Sequence, residues 1–343
     1  MRVTLREVAE EAGVSMMTVS NVMNGKAARV SPATRDRVHR IATDMGYVPS
    51  ASARSLASSS SKLIGLLVPA ADEDSLMISP HHMAIAGHVE RELRKSGYHL
   101  LLRGIARLDE VTEALHSWSL DGAILLGFVD EQIDKLTKAT AGPVPMVAID
   151  SYSRNRLTTG PRSDDFVGAR LAAEHLLGLG HRAVVFAGPE FGRAGVVRER
   201  FDGFRAAFTD AGVTWDPGLV EVVNTTHDEG FACGQTLLER HPGATAVFAT
   251  ADVLAVGIME GLAAAGAAVP GDVSVVGFDD LEFSKYVTPK LTTVTQDIGR
   301  KGATAVAMLV AAIEQRTRSR RPITLDVTLT VRDSTAPPKK HRR

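Results

Sequence analysis

The chain has 343 residues, enough for two or three domains that each bury a core, and its 39 basic residues almost balance its 40 acidic ones. A single cysteine, Cys233, excludes an intrachain disulfide and a cysteine-based metal cluster. The first 13 residues lack the apolar core of a secretory signal, and the longest apolar run, residues 303–313, is too short to span a bilayer. We therefore expect a cytoplasmic protein with no membrane partner and no cofactor.

Residues 4–24 predict two short helices joined by a tight turn. Thr4 is a suitable N-cap, Glu7 is placed to complete a capping box, and apolar residues then recur at helical spacing. Gly13 can end the first helix in the left-handed conformation, and Ser15 can cap the second. This pattern is typical of a helix-turn-helix whose second helix enters the DNA major groove, with an ordinary helical hairpin as the alternative.

A third amphipathic helix is predicted after Ser31, its N-cap, with Pro32 in its first turn. Three short helices are enough for a small DNA-reading module. Over residues 1–60 eight basic residues face five acidic ones, which suits contact with nucleic acid. Residues 50–57 are too few to form a stable helix alone, and a serine-rich linker follows at 58–61.

From Leu63 onward the sequence alternates between strand and helix patterns. Repeated strand–helix units predict parallel sheets with right-handed crossovers, and the cycle occurs twice, so we expect two similar α/β subdomains. Asp150 and Asp279 each follow the end of a buried strand, where open parallel sheets bind ligands, so we expect a cleft there. The predicted strands are 64–69, 99–102, 122–126, 144–149, 183–186, 219–223, 246–249 and 273–278, and the predicted helices are 82–96, 109–118, 130–140, 166–179, 197–211, 229–240, 253–265 and 299–315.

Together these features resemble the lactose-repressor/galactose-repressor (LacI/GalR) family of transcriptional regulators over residues 3–333. The most specific segments are VTLREVAEEAGVSMMTVSNVMNG at 3–25, ARSLA at 53–57, SVVGFDD at 274–280 and LTTVTQD at 291–297. The resemblance implies an α plus α/β fold: a helix-turn-helix head at 1–48, a hinge helix and linker at 49–61, a two-lobed effector domain like periplasmic binding proteins at 62–333, and a basic tail at 334–343. It divides the effector domain into a first subdomain of about 62–161 and 291–322 and a second of about 162–290 and 323–333.

The resemblance also implies roles in DNA binding. The base-reading positions are Met16 and Met17, which suit thymine methyl groups, and Asn21, which suits adenine. In the hinge, Ala53 and Arg54 accompany Leu56, which wedges into the minor groove. Contacts to the DNA backbone are implied for Thr4, Ser15, Thr18, Ser20, Asn24, Ser31, Thr34 and Tyr47, although each hydroxyl is equally suited to plain helix capping.

A small-molecule effector is expected in the cleft, either rich in hydroxyls or anionic, since carboxylates and a guanidinium occur together there. Several family members carry a stacking aromatic residue near Thr225, and its absence here argues against a flat ring such as a purine and favours a small sugar or acid. Either Arg198 or Arg200 matches the family's cleft arginine, and His82 is as easily solvated as ligating. The predicted effector-binding residues are His81, His82, Asp150, Arg198, Arg200, Thr225, Asp252, Asp279 and Gln296.

The resemblance implies a homodimer that binds a pseudo-palindromic operator as a repressor, with activation of some promoters as the alternative, and it places the helix carrying His88, Glu92 and Lys95 against the partner. The tail lacks the leucine heptads of tetrameric relatives. A solute-binding protein of the periplasmic type shares the clamshell but would need a signal peptide and no helix-turn-helix. An enzyme is disfavoured because the sequence holds none of the common nucleotide, metalloprotease or hydrolase motifs.

Overall fold

The computed structural model describes residues 3–25, 28, 30–48, 60–70, 76, 78–315 and 321–339. The chain forms two compact units that meet in sequence between Leu63 and Ile64. The predicted hinge residues Ala53, Arg54 and Leu56 lie outside the described residues, as does the end of the tail from residue 340. None of the helices in the described part of the chain is long and apolar enough to cross a membrane.

The first unit is the helical head, residues 3–48, and it confirms the three predicted helices. They are α1 (Leu5–Ala12), α2 (Met16–Met23) and α3 (Pro32–Asp44). One small core holds them together, formed mainly by Val8, Val19, Val22 and Val38, which are at most 3% exposed. Gly13 takes φ 61°, a conformation that costs glycine little, and so ends α1 and turns the chain toward α2.

Within the second unit, the first subdomain is built on a five-stranded sheet of order β2-β1-β3-β4-β5. The pairings β1–β3, β3–β4 and β4–β5 are parallel. The predicted helix at 130–140 is instead two short helices, because Thr137 caps a new one. The elements are β1 (Leu63–Pro69), α4 (Pro80–Lys95), β2 (His99–Ile105), α5 (Asp109–Ser117), β3 (Gly122–Leu126), α6 (Asp130–Asp134), α7 (Lys138–Ala141), β4 (Met146–Ile149) and β5 (Thr158–Thr159).

The second subdomain is built on a six-stranded sheet of order β13-β11-β10-β9-β7-β8, in which only the β11–β13 pairing is antiparallel. A separate two-stranded ladder joins β6 and β12. The elements are β6 (Pro161–Ser163), α8 (Asp165–Leu179), β7 (Val184–Gly188), α9 (Val196–Asp210), β8 (Val220–Val222), α10 (His227–Arg240), β9 (Ala246–Ala249), α11 (Asp252–Ala264), β10 (Ser274–Asp279), β11 (Thr292–Gln296), α12 (Ile298–Glu314), β12 (Ile323–Leu325) and β13 (Val327–Thr330).

Each sheet buries an apolar core beneath its helices. In the first subdomain Ile64, Leu66 and Ile124 pack against α4 and α12. One face of the second sheet carries a cluster of aromatic rings that includes Phe186, Phe204, Phe248 and Trp215. On the other face α10 and α11 approach so closely that a Cβ on Gly261 would lie 2.1 Å from the carbonyl oxygen of Phe231. Packing of this density fixes the strand ends that form the cleft.

The predicted return of residues 291–296 to the first subdomain is wrong. These residues form β11, which pairs with β10 in the second sheet, because Leu291 and Val294 bury their side chains in that subdomain's two cores. The chain crosses back only afterwards, where α12 packs on α4. Of the elements within residues 291–322, which were all predicted to lie in the first subdomain, only α12 does so.

The predicted tail at 334–343 also needs correction over its described part. Ser334 is fully buried, donating its hydroxyl to the carbonyl of Val275 at 2.6 Å and accepting from the amide of Thr292 at 2.8 Å. Further along, His181 Nε2 lies 2.9 Å from the carbonyl oxygen of Ala336, and Lys339 Nζ lies 2.5 Å from Asp272. Residues 334–339 therefore belong to the second subdomain, because Ser334 hydrogen-bonds the starts of β10 and β11, while Ala336 and Lys339 contact other residues of that subdomain.

Candidate functional site

A cavity of about 340 Å³ lies between the two subdomains, at the carboxyl ends of the parallel strands. Strand ends from both sheets contribute to it, as expected for ligand sites in open α/β folds. Its volume falls at the small end of the usual range for ligand pockets. Six of the residues predicted to bind an effector line this cavity: His81, His82, Asp150, Arg200, Thr225 and Asp279.

Three predicted effector-binding residues do not line the cavity. Arg198 lies on the outer side of α9 and pairs with Asp202 at 2.8 Å, so Arg200 is the cleft arginine. Asp252 is fully buried at the start of α11, where its carboxylate accepts hydrogen bonds from the amide of Leu281 and the hydroxyls of Ser284 and Thr293. Ala251, the residue before Asp252, faces the cavity instead.

Gln296 lies behind the cavity and hydrogen-bonds to the ionisable groups there. Its Nε2 donates to Asp279 Oδ1 at 2.7 Å, and its Oε1 accepts from Lys301 Nζ at 2.5 Å and from Ser163 Oγ at 2.6 Å. With both ends of its amide engaged and only 5% of its surface exposed, it has no free face for a ligand. Gln296 therefore holds Asp279 in place. It does not line the cavity, in contrast to the prediction that it contacts the effector.

The cleft aspartates have unusual backbone conformations. Asp150 takes φ 56°, Asp279 φ 134° and Asp280 φ 56°, all in a region that side-chain-bearing residues rarely occupy. Such conformations cost on the order of 1–3 kcal/mol each and persist where the surroundings impose them. At β10 the strained turn sends Asp279 into the cavity, while Asp280 pairs with Arg332 outside it.

Lys301, on α12, is 0% exposed and neutralises Asp150, with Nζ at 2.7 Å from Oδ1 and 2.8 Å from Oδ2. Burial raises the pKa of Asp150, but the adjacent Lys301 ammonium and His81 more than offset this and hold that pKa well below its usual range. The pKa of Asp279 is raised well above its ordinary value, mainly by burial and by the charge of Asp252. The folded structure therefore favours the charged form of Asp150 and the protonated form of Asp279.

His81, on the first turns of α4, lies between these two aspartates. Its Nε2 is 3.8 Å from Asp150 Oδ2, and its Nδ1 is 3.3 Å from Asp279 Oδ1 without a hydrogen-bond partner among the described residues. Its side chain is 14% exposed, and burial lowers its pKa to about 4 against the opposing influence of Asp150. The imidazole is therefore neutral at physiological pH and offers the cavity one donor and one acceptor.

Lowering the pH should reveal this buried histidine in the stability of the protein. Between pH values of about 6.5 and 4 the unfolded chain binds a proton at His81 that the folded protein does not, so stability falls as the pH falls through this window. The shift corresponds to at most about 3 kcal/mol. Denaturant unfolding at a series of pH values should show a steeper loss for wild type than for His81→Gln.

The exposed His116 provides a matched control, since His116→Gln should keep the wild-type pH profile. Parallel profiles for wild type and His81→Gln would contradict the neutral, buried state assigned to His81.

Arg200, from α9, is also held by contacts within the protein. Its Nε and Nη2 donate to Asp165 Oδ1 at 2.8 Å, its Nη1 donates to the carbonyl of Thr250, and its guanidinium lies 3.6 Å from the ring centre of Phe278. Tyr152 donates its hydroxyl to the other oxygen of Asp165 at 2.9 Å. The cavity's arginine is thus already neutralised and fixed in position before any ligand arrives.

The helical head presents a separate candidate interface. Met16 and Met17, at the start of α2, are 55% and 70% exposed, which is unusual for methionine and leaves both free to contact bases. Asn21 is half-buried on the same helix. Three of the hydroxyls predicted to contact phosphates serve as helix caps: Thr4 accepts from the amide of Glu7 at 3.3 Å, Ser15 from that of Thr18 at 3.1 Å, and Ser31 from that of Thr34 at 3.3 Å.

Similarity to known proteins agrees with both parts of the structure. Residues 4–50 match the model of bacterial regulatory proteins of the lacI family, and residues 173–335 match a periplasmic binding protein-like domain. The HTH-type transcriptional repressor PurR of Pasteurella multocida (strain Pm70) is 30% identical over 337 residues, covering 96% of this chain and 98% of that protein. The chain belongs to the lacI family.

Two solved structures of lacI-family regulators superpose over nearly the whole chain. The lac repressor dimer bound to operator and the anti-inducer ONPF gives a TM-score of 0.84 at 26% identity, covering 98% of this chain and 100% of that one. The CelR–cellobiose complex gives 0.71 at 30% identity, covering 97% and 100%. The prediction of a DNA-binding transcriptional regulator rather than an enzyme is confirmed by these relatives.

Several residues that line this lacI-family cleft were not predicted from the sequence. Phe128 and Phe191 bring aromatic surface to the cavity from opposite subdomains, and Thr250 and Asp130 bring polar atoms. Phe128 follows β3 by two residues, Phe191 follows β7 by three, and Thr250 follows β9 directly, so the rule that singled out Asp150 and Asp279 applies to them as well. Lys301 had no such signal, since it lies inside a helix.

Proposed function

We propose that this lacI-family regulator is a cytoplasmic repressor that binds a near-palindromic operator as a homodimer. A small, uncharged, hydroxyl-rich effector in the cleft sets its affinity for the operator. The observation that carries the proposal is the cavity between the subdomains, whose cationic groups are already neutralised by the protein itself.

The charge of the cleft argues for an uncharged effector. Lys301 is held by Asp150 and Gln296, and Arg200 is paired with Asp165 and donates to Thr250, so the protein itself already neutralises both cations. The cavity wall also includes the carboxylates of Asp130, Glu131 and Glu190. A phosphate or carboxylate would face this negative charge without a free counterion among the described residues, which costs binding energy.

Hydroxyl groups suit the same surface. Carboxylates accept hydrogen bonds from them, the neutral His81 can donate or accept, and the rings of Phe128 and Phe191 offer apolar surface for the faces of a sugar ring. The relatives support this class of ligand: the CelR structure contains cellobiose, and the lac repressor structure contains its operator and an anti-inducer.

Effector binding can act on DNA through the relative position of the subdomains. Asp150 and Lys301 belong to the first subdomain, whereas Asp279 and Gln296 belong to the second, so one hydrogen-bonded network crosses the cleft. A ligand that favours one cleft geometry shifts the population by its differential affinity, typically about 1–3 kcal/mol. In the proposed dimer, in which α4 with His88, Glu92 and Lys95 faces the partner, this shift would change the pairing of the two hinges.

Selection of bound DNA from a random pool tests the DNA-binding part of the proposal. Wild type should return a two-fold symmetric consensus, because a dimer presents two copies of α2. In Met17→Ala the preference for thymine at one position in each half-site should relax about 5- to 30-fold, the usual effect of one lost base contact.

Val222→Ala, which shortens an exposed apolar residue on β8, should keep the wild-type consensus. Leu56→Ala should weaken selection at the centre of the site, where the hinge is proposed to enter the minor groove. Recovery of only asymmetric, salt-sensitive sequences by wild type, with and without sugars, would contradict the proposed function.

A further inference from the structure

Asp130 carries an unused hydrogen-bond acceptor at the cavity wall. Its Oδ1 accepts three hydrogen bonds, from the hydroxyl of Ser151 at 2.6 Å and from the amides of Tyr152 and Ser153 at 2.9 Å each. Its Oδ2 is buried and has no partner among the described residues. The residue is only 8% exposed and lines the cavity, so the carboxylate is held rigidly with one oxygen free. A buried acceptor in this state is unfavourable until a donor reaches it.

Across the cleft, the N-terminus of α9 faces the same oxygen. Gly195, the N-cap of this 15-residue helix, takes φ 113°, and a Cβ at this position would lie 3.6 Å from Asp130 Oδ2. No side chain caps the helix. Its first amides therefore need acceptors, and Gly195, Val196 and Val197 all line the cavity.

We propose that one hydroxyl of the effector bridges Asp130 and the N-terminus of α9. Such a hydroxyl donates its proton to Asp130 Oδ2 and accepts from a backbone amide of the first turn of α9. The inference rests on the proposed function, since it concerns the same cavity, and it assigns Asp130 as a specificity-determining residue for that ligand.

A hydroxyl satisfies both sides of this subsite with a single oxygen atom. An ammonium has donors for Asp130 but no lone pair for the helix amides, and an ionised carboxylate or phosphate accepts from the amides but repels Asp130. Asp130 belongs to the first subdomain and α9 to the second, so the bridge forms only when the cleft is closed. The same hydrogen bonds that recognise the effector therefore favour the closed geometry.

The test begins with a thermal-shift panel on the full-length protein. It pairs neutral aldoses, alditols and β-linked disaccharides with their amino, uronic acid and 6-phosphate counterparts. Neutral members should stabilise the protein and their anionic counterparts should not. Binding by anionic members alone, or by no neutral member, would overturn the proposal.

A double-mutant cycle then locates the bridging hydroxyl. For the tightest neutral compound, calorimetry compares each monodeoxy analogue on wild type and on Asp130→Asn, which keeps the Oδ1 acceptor and replaces Oδ2 with a donor. Asp130→Asn should weaken the parent compound about 10- to 100-fold, the range for a hydrogen bond to a charged group. One deoxy analogue should bind wild type weakly and lose no further affinity in the variant.

Glu239→Gln, which removes one negative charge at an exposed position of α10, should leave every affinity unchanged. If all deoxy analogues lose affinity equally in Asp130→Asn, the residue acts on closure or folding and the bridge is wrong. Operator affinity is measured in parallel. A compound that binds through Asp130 without changing operator affinity would contradict the proposed function and leave the bridge intact. A compound that changes operator affinity but whose binding does not depend on Asp130 would contradict the bridge alone.

Discussion

Replacing Lys301 with leucine should destabilise the folded protein by about 3–5 kcal/mol, the usual cost of removing one partner of a buried ion pair. The ammonium is 0% exposed, contacts both oxygens of Asp150 within 2.8 Å and donates to Gln296 at 2.5 Å. Without it, the Asp150 carboxylate, which is only 19% exposed, would lose its counterion. Denaturant unfolding followed by the fluorescence of Trp118 and Trp215 measures the difference.

The double variant Lys301→Leu/Asp150→Asn should recover most of the lost stability, because it removes the uncompensated charge and leaves an apolar side chain between α12 and the first sheet. A cost below about 1 kcal/mol for the single variant would place this pair among weak surface ion pairs and contradict its burial. Effector binding should be weakened in the double variant, because an amide replaces the Asp150 carboxylate at the cavity.

Replacing Arg200 with methionine should have the second large effect, and that effect should depend on pH. The guanidinium pairs with Asp165, which is 1% exposed, so the variant leaves a carboxylate that cannot reach water. Burial already raises the pKa of Asp165 although Arg200 opposes it, and losing Arg200 raises that pKa further. Protonation of Asp165 removes the buried charge, so folding of the variant becomes linked to the uptake of a proton.

The sign follows from linkage: a carboxyl whose pKa is raised by folding costs stability increasingly as the pH rises above the ordinary aspartate value. We expect a loss of about 3 kcal/mol at pH 8 and a clearly smaller loss at pH 5. Unfolding curves at both pH values measure it, and Arg200→Met/Asp165→Asn should remove the pH dependence.

Arg198→Met is the matched control on the same helix. Its pair with Asp202 is about one third exposed, so its loss should cost less than about 1 kcal/mol at either pH and should not change effector binding. Equal effects of the two arginine variants would contradict the assignment of Arg200 as the arginine of the cleft.

Local signals in the sequence determined most of the elements and their ends. Thr4, Gly13, Ser15 and Ser31 specify where the helices of the head begin and end, because caps act over three or four residues. Eight of the thirteen strands in the described part of the chain follow from short apolar runs, whereas β5, β6, β11, β12 and β13 were not among the predicted strands. Asp150 and Asp279 follow from the position of a polar residue directly after such a run. Family-specific segments then placed these elements in a known order.

The tertiary structure decided which groups meet. Lys301 and Asp150 are 151 residues apart, and Ser163 and Gln296 are 133 apart, so no local pattern relates them. The same limit explains the errors: β11 joined the second sheet because Val294 fits that subdomain's core, and Asp252 was drawn behind the cavity by Ser284 and Thr293. The sequence by itself determined the two α/β subdomains and the head, since these depend on periodicity and caps, and its resemblance to a known family indicated the class of protein. Which side chains face the ligand and which neutralise one another was decided only when distant strand ends packed together, because burial and hydrogen bonding there depend on partners that neighbouring residues do not specify.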